Sequence, residues 1–250
     1  MKRRFEVIFF DLGNTLMYDR DPWDPIFPRA DAAMRKSLEQ AGYPLVENAY
    51  GEFETIFDMY YHRRKNTVEE ETTVQLLRTL MKKQGTSPPD PVLFAAIEAM
   101  YNVTQENWYM EEDAIPTLNA LQESGYRLGL ISNAADDENV QELVDKGNLR
   151  PYFEFIISSA ACGIRKPDSL IFQRALDFFE VPPGGTAMAG DLLDADVLGA
   201  NRLGIYSIWV TRRAMAPPEG ELEIQPQAIV STLGEIPDLL EEIEQGLSRN

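Results

Sequence analysis

Apolar positions along this chain follow two rhythms. Short unbroken runs of branched and aromatic residues occupy Val7 to Phe10, Arg127–Ser132, Phe155–Ser158, Thr186–Ala189, Tyr206–Val210 and, more weakly, Ala228–Val230. Such runs predict strands buried on both faces. Between them, apolar residues recur at helical spacing over Ala114–Ser124, Asp137–Lys146, Asp168–Phe179, Asp194–Leu203 and Leu233–Leu247. Strands alternating with helices of this length predict right-handed βαβ units, hence an α/β fold with a doubly wound parallel sheet. Residues 17–113 break the rhythm. They show no strand pattern, only amphipathic stretches near Ala30–Ala41, Ala49–Arg64, Glu69–Gln84 and Pro91–Trp108, separated by Gly- and Pro-rich breaks. The economical division is an α/β core from residues 1–16 and 114–250, with a helical cap inserted at 17–113. Ala216–Glu219 reads as a surface loop, and the acidic run from Glu235 to Glu244 as a solvated helix face.

Composition narrows the function classes. With 250 residues, 44% of them hydrophobic, the chain can bury a substantial core. Lys and Arg number 23 against 41 Asp and Glu, a net charge of −18. That field repels phosphate backbones and anionic lipid, which argues against nucleic-acid and membrane-surface partners. An anionic ligand must instead be drawn in by local donors or a metal ion. The single cysteine, Cys162, makes no internal disulfide framework and fits a reducing compartment. Lys2, Arg3 and Arg4 before Phe5–Phe10 superficially copy a secretion signal, but Glu6 interrupts the run and Asp11 ends it. No stretch reaches the roughly 18 apolar residues of a membrane span. The expected location is cytoplasmic.

Four segments carry candidate chemistry. Asp11 closes the first buried strand, so its carboxylate emerges where open α/β sheets place their ligands. Gly13 and Asn14 permit the tight turn that follows. Ser132 and Asn133 end a second strand, and Lys166-Pro167 precedes a helix. Asp191, Asp194 and Asp196 crowd a strand-to-helix junction. Each segment alone has an ordinary explanation, as turn chemistry, a surface lysine or acids at a helix start. Together they converge on one edge of one sheet. Asp11, Asp191 and Asp196 gathered there would suffer mutual repulsion and desolvation. Lys166 and a divalent cation supply the compensation, and Mg²⁺ held by few carboxylates and a substrate phosphate is the usual arrangement.

With these residues in view, the chain resembles the haloacid dehalogenase superfamily, in its helical-cap phosphatase subgroup. The resemblance rests on FFDLGNTL, LISN, RKP and AGDLLDAD, in that order, and covers the strand framework at roughly residues 5–16 and 114–235. It implies an Mg²⁺-dependent hydrolase acting on a small phosphorylated metabolite. Asp11 would be the nucleophile forming an aspartyl-phosphate, and Lys166 would neutralise nucleophile and phosphate. Ser132 and Asn133 would hold phosphoryl oxygens. Asp11, Asp191, Asp196 and the backbone carbonyl of Gly13 would ligate the metal. The sequence departs from the family at Gly13, where its phosphatases most often carry a second Asp as general acid/base. General acid–base catalysis is worth about 10²–10⁴ in rate, so the expected consequence is a preference for leaving groups that need little protonation. Tyr18, Asp19 or an acid of the cap are alternative proton sources. Two rivals stand beside this reading: a 2-haloacid dehalogenase using the same Asp nucleophile, and a catalytically silent binding protein of the same fold.

The remaining single residues read as structural. His62, the only histidine, sits in a Tyr-rich basic stretch and is expected to pack or face solvent. Trp23, Trp108 and Trp209 are expected to pack, and Gly184-Gly185 precede a strand and so form no dinucleotide loop.

Overall fold

The computed structural model describes residues 3–46, Tyr60, Arg64, 67–214 and 223–247. Six strands form one parallel sheet: β1 (Val7–Phe10), β4 (Arg127–Ser132), β5 (Phe155–Ser158), β6 (Thr186–Gly190), β7 (Tyr206–Val210) and β8 (Ala228–Val230). Their spatial order is β5-β4-β1-β6-β7-β8, with Phe10 level with Leu130 on one side and Ala189 on the other. The doubly wound expectation therefore holds. Alternate side chains of β1 enter opposite layers: Ile8 and Phe10 join one apolar cluster, Val7 and Phe9 the other. A strand buried on both faces needs no polar alternation, which is why these segments read as continuous apolar runs. The chain reverses direction around β1, so the crevice of an open α/β sheet lies beyond the carboxyl ends of β4, β1 and β6.

Helices α4 (Ala114–Glu123), α5 (Asp137–Lys146), α6 (Ser159–Cys162), α7 (Ser169–Phe179), α8 (Leu198–Leu203) and α9 (Ile236–Leu247) cover the sheet. Before them in the chain come α1 (Phe27–Gln40), α2 (Thr73–Lys83) and α3 (Asp90–Thr104). These three build a separate apolar cluster from Met34, Leu38, Leu77, Leu80, Leu93 and Ile97. Thr72 opens α2 with a reciprocal cap involving Gln75. Among the described residues, no helix is long and apolar enough to cross a membrane.

Two expectations change. Residues 17–113 are not free of strands: β2 (Met17–Asp19) and β3 (Trp108–Met110) pair antiparallel, Tyr18 opposite Tyr109. Three-residue strands whose partners lie some ninety positions away leave no period to read. The segment expected to be helical from Asp194 begins as a π-turn, Leu193–Val197, before α8. The tight turn after Asp11 is present as expected, with Asn14 in the left-handed conformation at φ 56°. Most of the Ala49–Arg64 stretch, His62 and the Ala216–Glu219 loop lie outside the described residues.

Candidate active site

Asp11 leaves the end of β1 with its amide bonded to the carbonyl of Ala189 on β6, 2.9 Å away. That bond continues the ladder one step beyond the strand and fixes the carboxylate at the switch point. Lys166 arrives from the loop after α6 and is 1% exposed. Its Nζ lies 2.6 Å from Asp11 Oδ1 and 2.7 Å from Asp196 Oδ1, and it donates to the carbonyl of Ile131 at 2.6 Å. An ammonium this deep is tolerated only because oxygens surround it: Asp11 Oδ1 and the Ile131 carbonyl accept its hydrogen bonds, and Asp196 Oδ1 pairs with its charge.

The acids come from two strand ends. Asp191 follows β6 directly, and Asp196 lies in the π-turn, its Oδ2 accepting from the amide of Leu192 at 3.0 Å. Ligand oxygens of Asp11, Asp191 and Asp196 all lie within 4.8 Å of one another. All three residues are buried. Asp194, between them in sequence, is exposed and stands apart from this group.

The local packing admits little else. A methyl group at Gly190 would stand 2.7 Å from Asp196 Cβ and closer still to its carboxylate. Gly190 is therefore the gap into which Asp196 folds back. Trp209 of β7 donates its indole N–H to the carbonyl of Asp191 at 2.8 Å, holding the acidic turn from the neighbouring strand. Neither role was legible in sequence. Gly190 stood inside a conspicuous motif, but Trp209 gave no signal beyond being a buried-strand aromatic.

Three carboxylates crowd around one ammonium, and the proton affinities of Asp11 and Asp191 show it. Burial pushes the Asp11 carboxyl up to about 6; Lys166 opposes that rise and Asp196 adds to it. Asp191 is pushed up to about 9 by burial, then by the charges of Asp11 and Asp196. Burial alone would lower the Lys166 ammonium, but Asp11 and Asp196 outweigh it and hold it above its ordinary value. Two carboxylates beyond the one that Lys166 balances, each able to give up its proton to a metal, match a hard divalent cation. The donor set therefore fits Mg²⁺.

Ser132 and Asn133 stand at the end of β4, beside β1. Ser132 is 5% exposed, and among the described residues its hydroxyl has no hydrogen-bond partner. Asn133 is already committed. Its Oδ1 accepts from the amide of Lys166 at 2.8 Å and its Nδ2 donates to the carbonyl of Lys166 at 3.0 Å. This pair of bonds clamps the lysine's backbone and explains why an amide side chain is needed there. Gly13 lies two residues past Asp11, with the indole of Trp108 about 3.4 Å from where a Cβ would be. Tyr18 sits in β2 beneath the guanidinium of Arg213, 3.8 Å from the ring centre. Asp19 is the last residue of that strand.

The chain is similar to known proteins over most of its length. The sequence model of the haloacid dehalogenase-like hydrolase family matches residues 5–204. A glyceraldehyde 3-phosphate phosphatase from Pyrococcus furiosus is 27% identical over 248 residues, spanning 97% of this chain and 95% of that protein. A ribulose-1,5-bisphosphate 5-phosphatase from Halopiger xanaduensis is 26% identical over 248 residues, spanning 94% and 98%. Among solved structures, a HAD phosphatase from Thermococcus onnurineus aligns with a TM-score of 0.65 at 20% identity, covering 94% of this chain and 98% of that one. A 2-haloacid dehalogenase from Pseudomonas syringae aligns at 0.67 and 24% identity, covering 96% and 99%. These structural likenesses concern the fold.

Proposed function

Because the chain belongs to the haloacid dehalogenase-like hydrolase family, we propose that it is an Mg²⁺-dependent phosphomonoesterase acting on a small phosphorylated metabolite. The observation that carries this reading is the buried group of Asp11, Asp191 and Asp196 around Lys166. A surplus of carboxylates over ammonium suits a cation and a phosphate dianion together, and a halogenated acid would need no such surplus. The relatives named as phosphatases, which span nearly the whole chain, support the same class.

In this reading an Asp11 oxygen attacks phosphorus, the ester P–O bond breaks, and the alcohol departs with a proton. Water then hydrolyses the acyl phosphate and returns the carboxylate. Splitting one displacement into two is the logic of covalent catalysis. Lys166 keeps Asp11 available as an anion and faces the charge that gathers on the phosphoryl oxygens. The free hydroxyl of Ser132 is placed to meet one of those oxygens, while Asn133 acts on them through the lysine backbone it clamps. Asp11, Asp191, Asp196 and the Gly13 carbonyl would hold Mg²⁺, which when bound supplies charge neutralisation. With glycine at position 13 in place of a carboxylic acid, the departing alcohol draws its proton from Tyr18, Asp19 or an acid of the cap, so aryl and anomeric phosphates, which need little protonation, are the favoured esters. Residues 17–113 serve as a cap that selects the substrate and excludes water.

Phosphate release from a panel of phosphomonoesters, with Mg²⁺ and with chelator, tests this reading, with Asp11→Asn as control. The expected result is metal-dependent release that the variant lacks. Halide release from a 2-haloacid that survives the chelator would favour the dehalogenase. Absence of any turnover would favour a silent binding protein.

A further inference from the structure

Glu70 precedes α2 in the helical block and is 9% exposed. Its Oε1 accepts from the hydroxyl of Tyr60 at 2.6 Å, and its Oε2 from the hydroxyl of Ser159 at 2.5 Å. Ser159 belongs to the other side of the seam, on α6 directly after β5. Its oxygen in turn accepts from the amide of Ala134 at 2.9 Å. Ala134 follows Ser132, which ends β4, and Asn133, which clamps Lys166. The seam around Glu70 is closed by backbone bonds on both flanks: Glu70 to Gly163, Arg165 to Val68, and Thr73 to Ala135, at 2.8–3.0 Å. One stretch of the block thus grips two of the loops that deliver groups to the site.

A hydroxyl has one proton. The Ser159 oxygen is 2.5 Å from the Glu70 carboxylate and 3.1 Å from the carbonyl of Ala134. The charged, nearer acceptor takes that proton. A lone pair of Ser159 is then fixed toward the Ala134 amide. Without Glu70, the hydroxyl is free to turn to the Ala134 carbonyl, and the amide loses its defined acceptor.

We propose that Glu70 is a positioning residue: acting through Ser159, it holds the 132–134 loop in the conformation that receives the phosphoryl group. The idea rests on the phosphatase reading for its catalytic consequence, but not for its structural one. Sequence gave no sign of it, since Glu70 is one of three consecutive acids before a helix and its neighbours in space are far along the chain.

The test combines amide exchange at Ala134 with inhibition by inorganic phosphate, in Glu70→Ala, Glu70→Gln, Ser159→Ala and the double variant Glu70→Ala/Ser159→Ala. A hydrogen bond to a charged group sets the scale, so exchange at Ala134 should rise about ten-fold or more in Glu70→Ala. Exchange within α1 and α3 should stay unchanged. Phosphate affinity and kcat/KM should fall together well below the melting temperature. The double variant should lose no more than either single one, because both cut the same chain. Glutamine keeps an acceptor for Ser159 and should restore most of the function. Unchanged exchange at Ala134, an equal rise across the helical block, additive losses or no rescue by glutamine would each overturn the proposal. If the unaltered protein neither releases nor binds phosphate, the phosphatase reading fails, and exchange at Ala134 still decides whether Glu70 orders the loop.

Discussion

Replacing Lys166 with Met keeps a long buried side chain but removes the ammonium that touches Asp11 and Asp196. The two contacts, 2.6 and 2.7 Å long, each represent a gross attraction on the order of 6 kcal/mol at an effective dielectric near 20. Much of that is offset by the cost of burying the charges. Removing one partner of such a pair typically costs about 3–5 kcal/mol, because the others remain buried and unpaired. The carboxyls can escape part of the loss by taking up protons. In the metal-free wild type, Asp11 and Asp191 are already raised to about 6 and about 9. Acids whose folded values lie above the unfolded ones add stability below about pH 4, and this is lost as pH rises through the folded values. Losing the lysine lifts Asp11 further, so the variant declines more steeply over that window. Urea unfolding with chelator should therefore show the full destabilisation, about 3–5 kcal/mol, at pH 8 and much less at pH 5. An equal deficit at both pH values would mean that Lys166 contributes packing and not charge.

Three further outcomes follow from the same geometry. Mg²⁺ should stabilise the protein more at pH 8 than at pH 5.5, with proton release on binding, since Asp191 must give up the proton it holds near neutrality; thermal melts at both pH values check the sign. Gly190→Ala forces Asp196 out of its fold-back and should cost about 1–3 kcal/mol while weakening Mg²⁺ binding measured by calorimetry. Gly13→Ala, by contrast, meets only ordinary contact with Trp108 and keeps its carbonyl, so turnover and melting temperature should stay near wild type; a large loss would show that the backbone there needs glycine.

The sequence by itself determined the strands of the sheet and which candidate residues stand at its carboxyl edge. Strands buried on both faces leave a local mark in continuous apolar runs, and chemistry at strand ends follows each run by one or two positions. Asp11, Ser132 and Asp191 could be placed on the crevice edge for that reason. What it could not determine were relations between distant segments. The ribbon of β2 and β3 joins pieces too short to carry a period. Asn133 was legible as a polar strand end, but its clamp on the Lys166 backbone appears only when two loops thirty-three residues apart meet. Trp209, Gly190 and Glu70 act by proximity, and nothing in their own neighbourhoods in sequence announces it. Local hydrophobic periodicity encodes which face of an element is buried; which polar atom finds which partner is decided by how the faces close on one another, and that is a property of the folded chain alone.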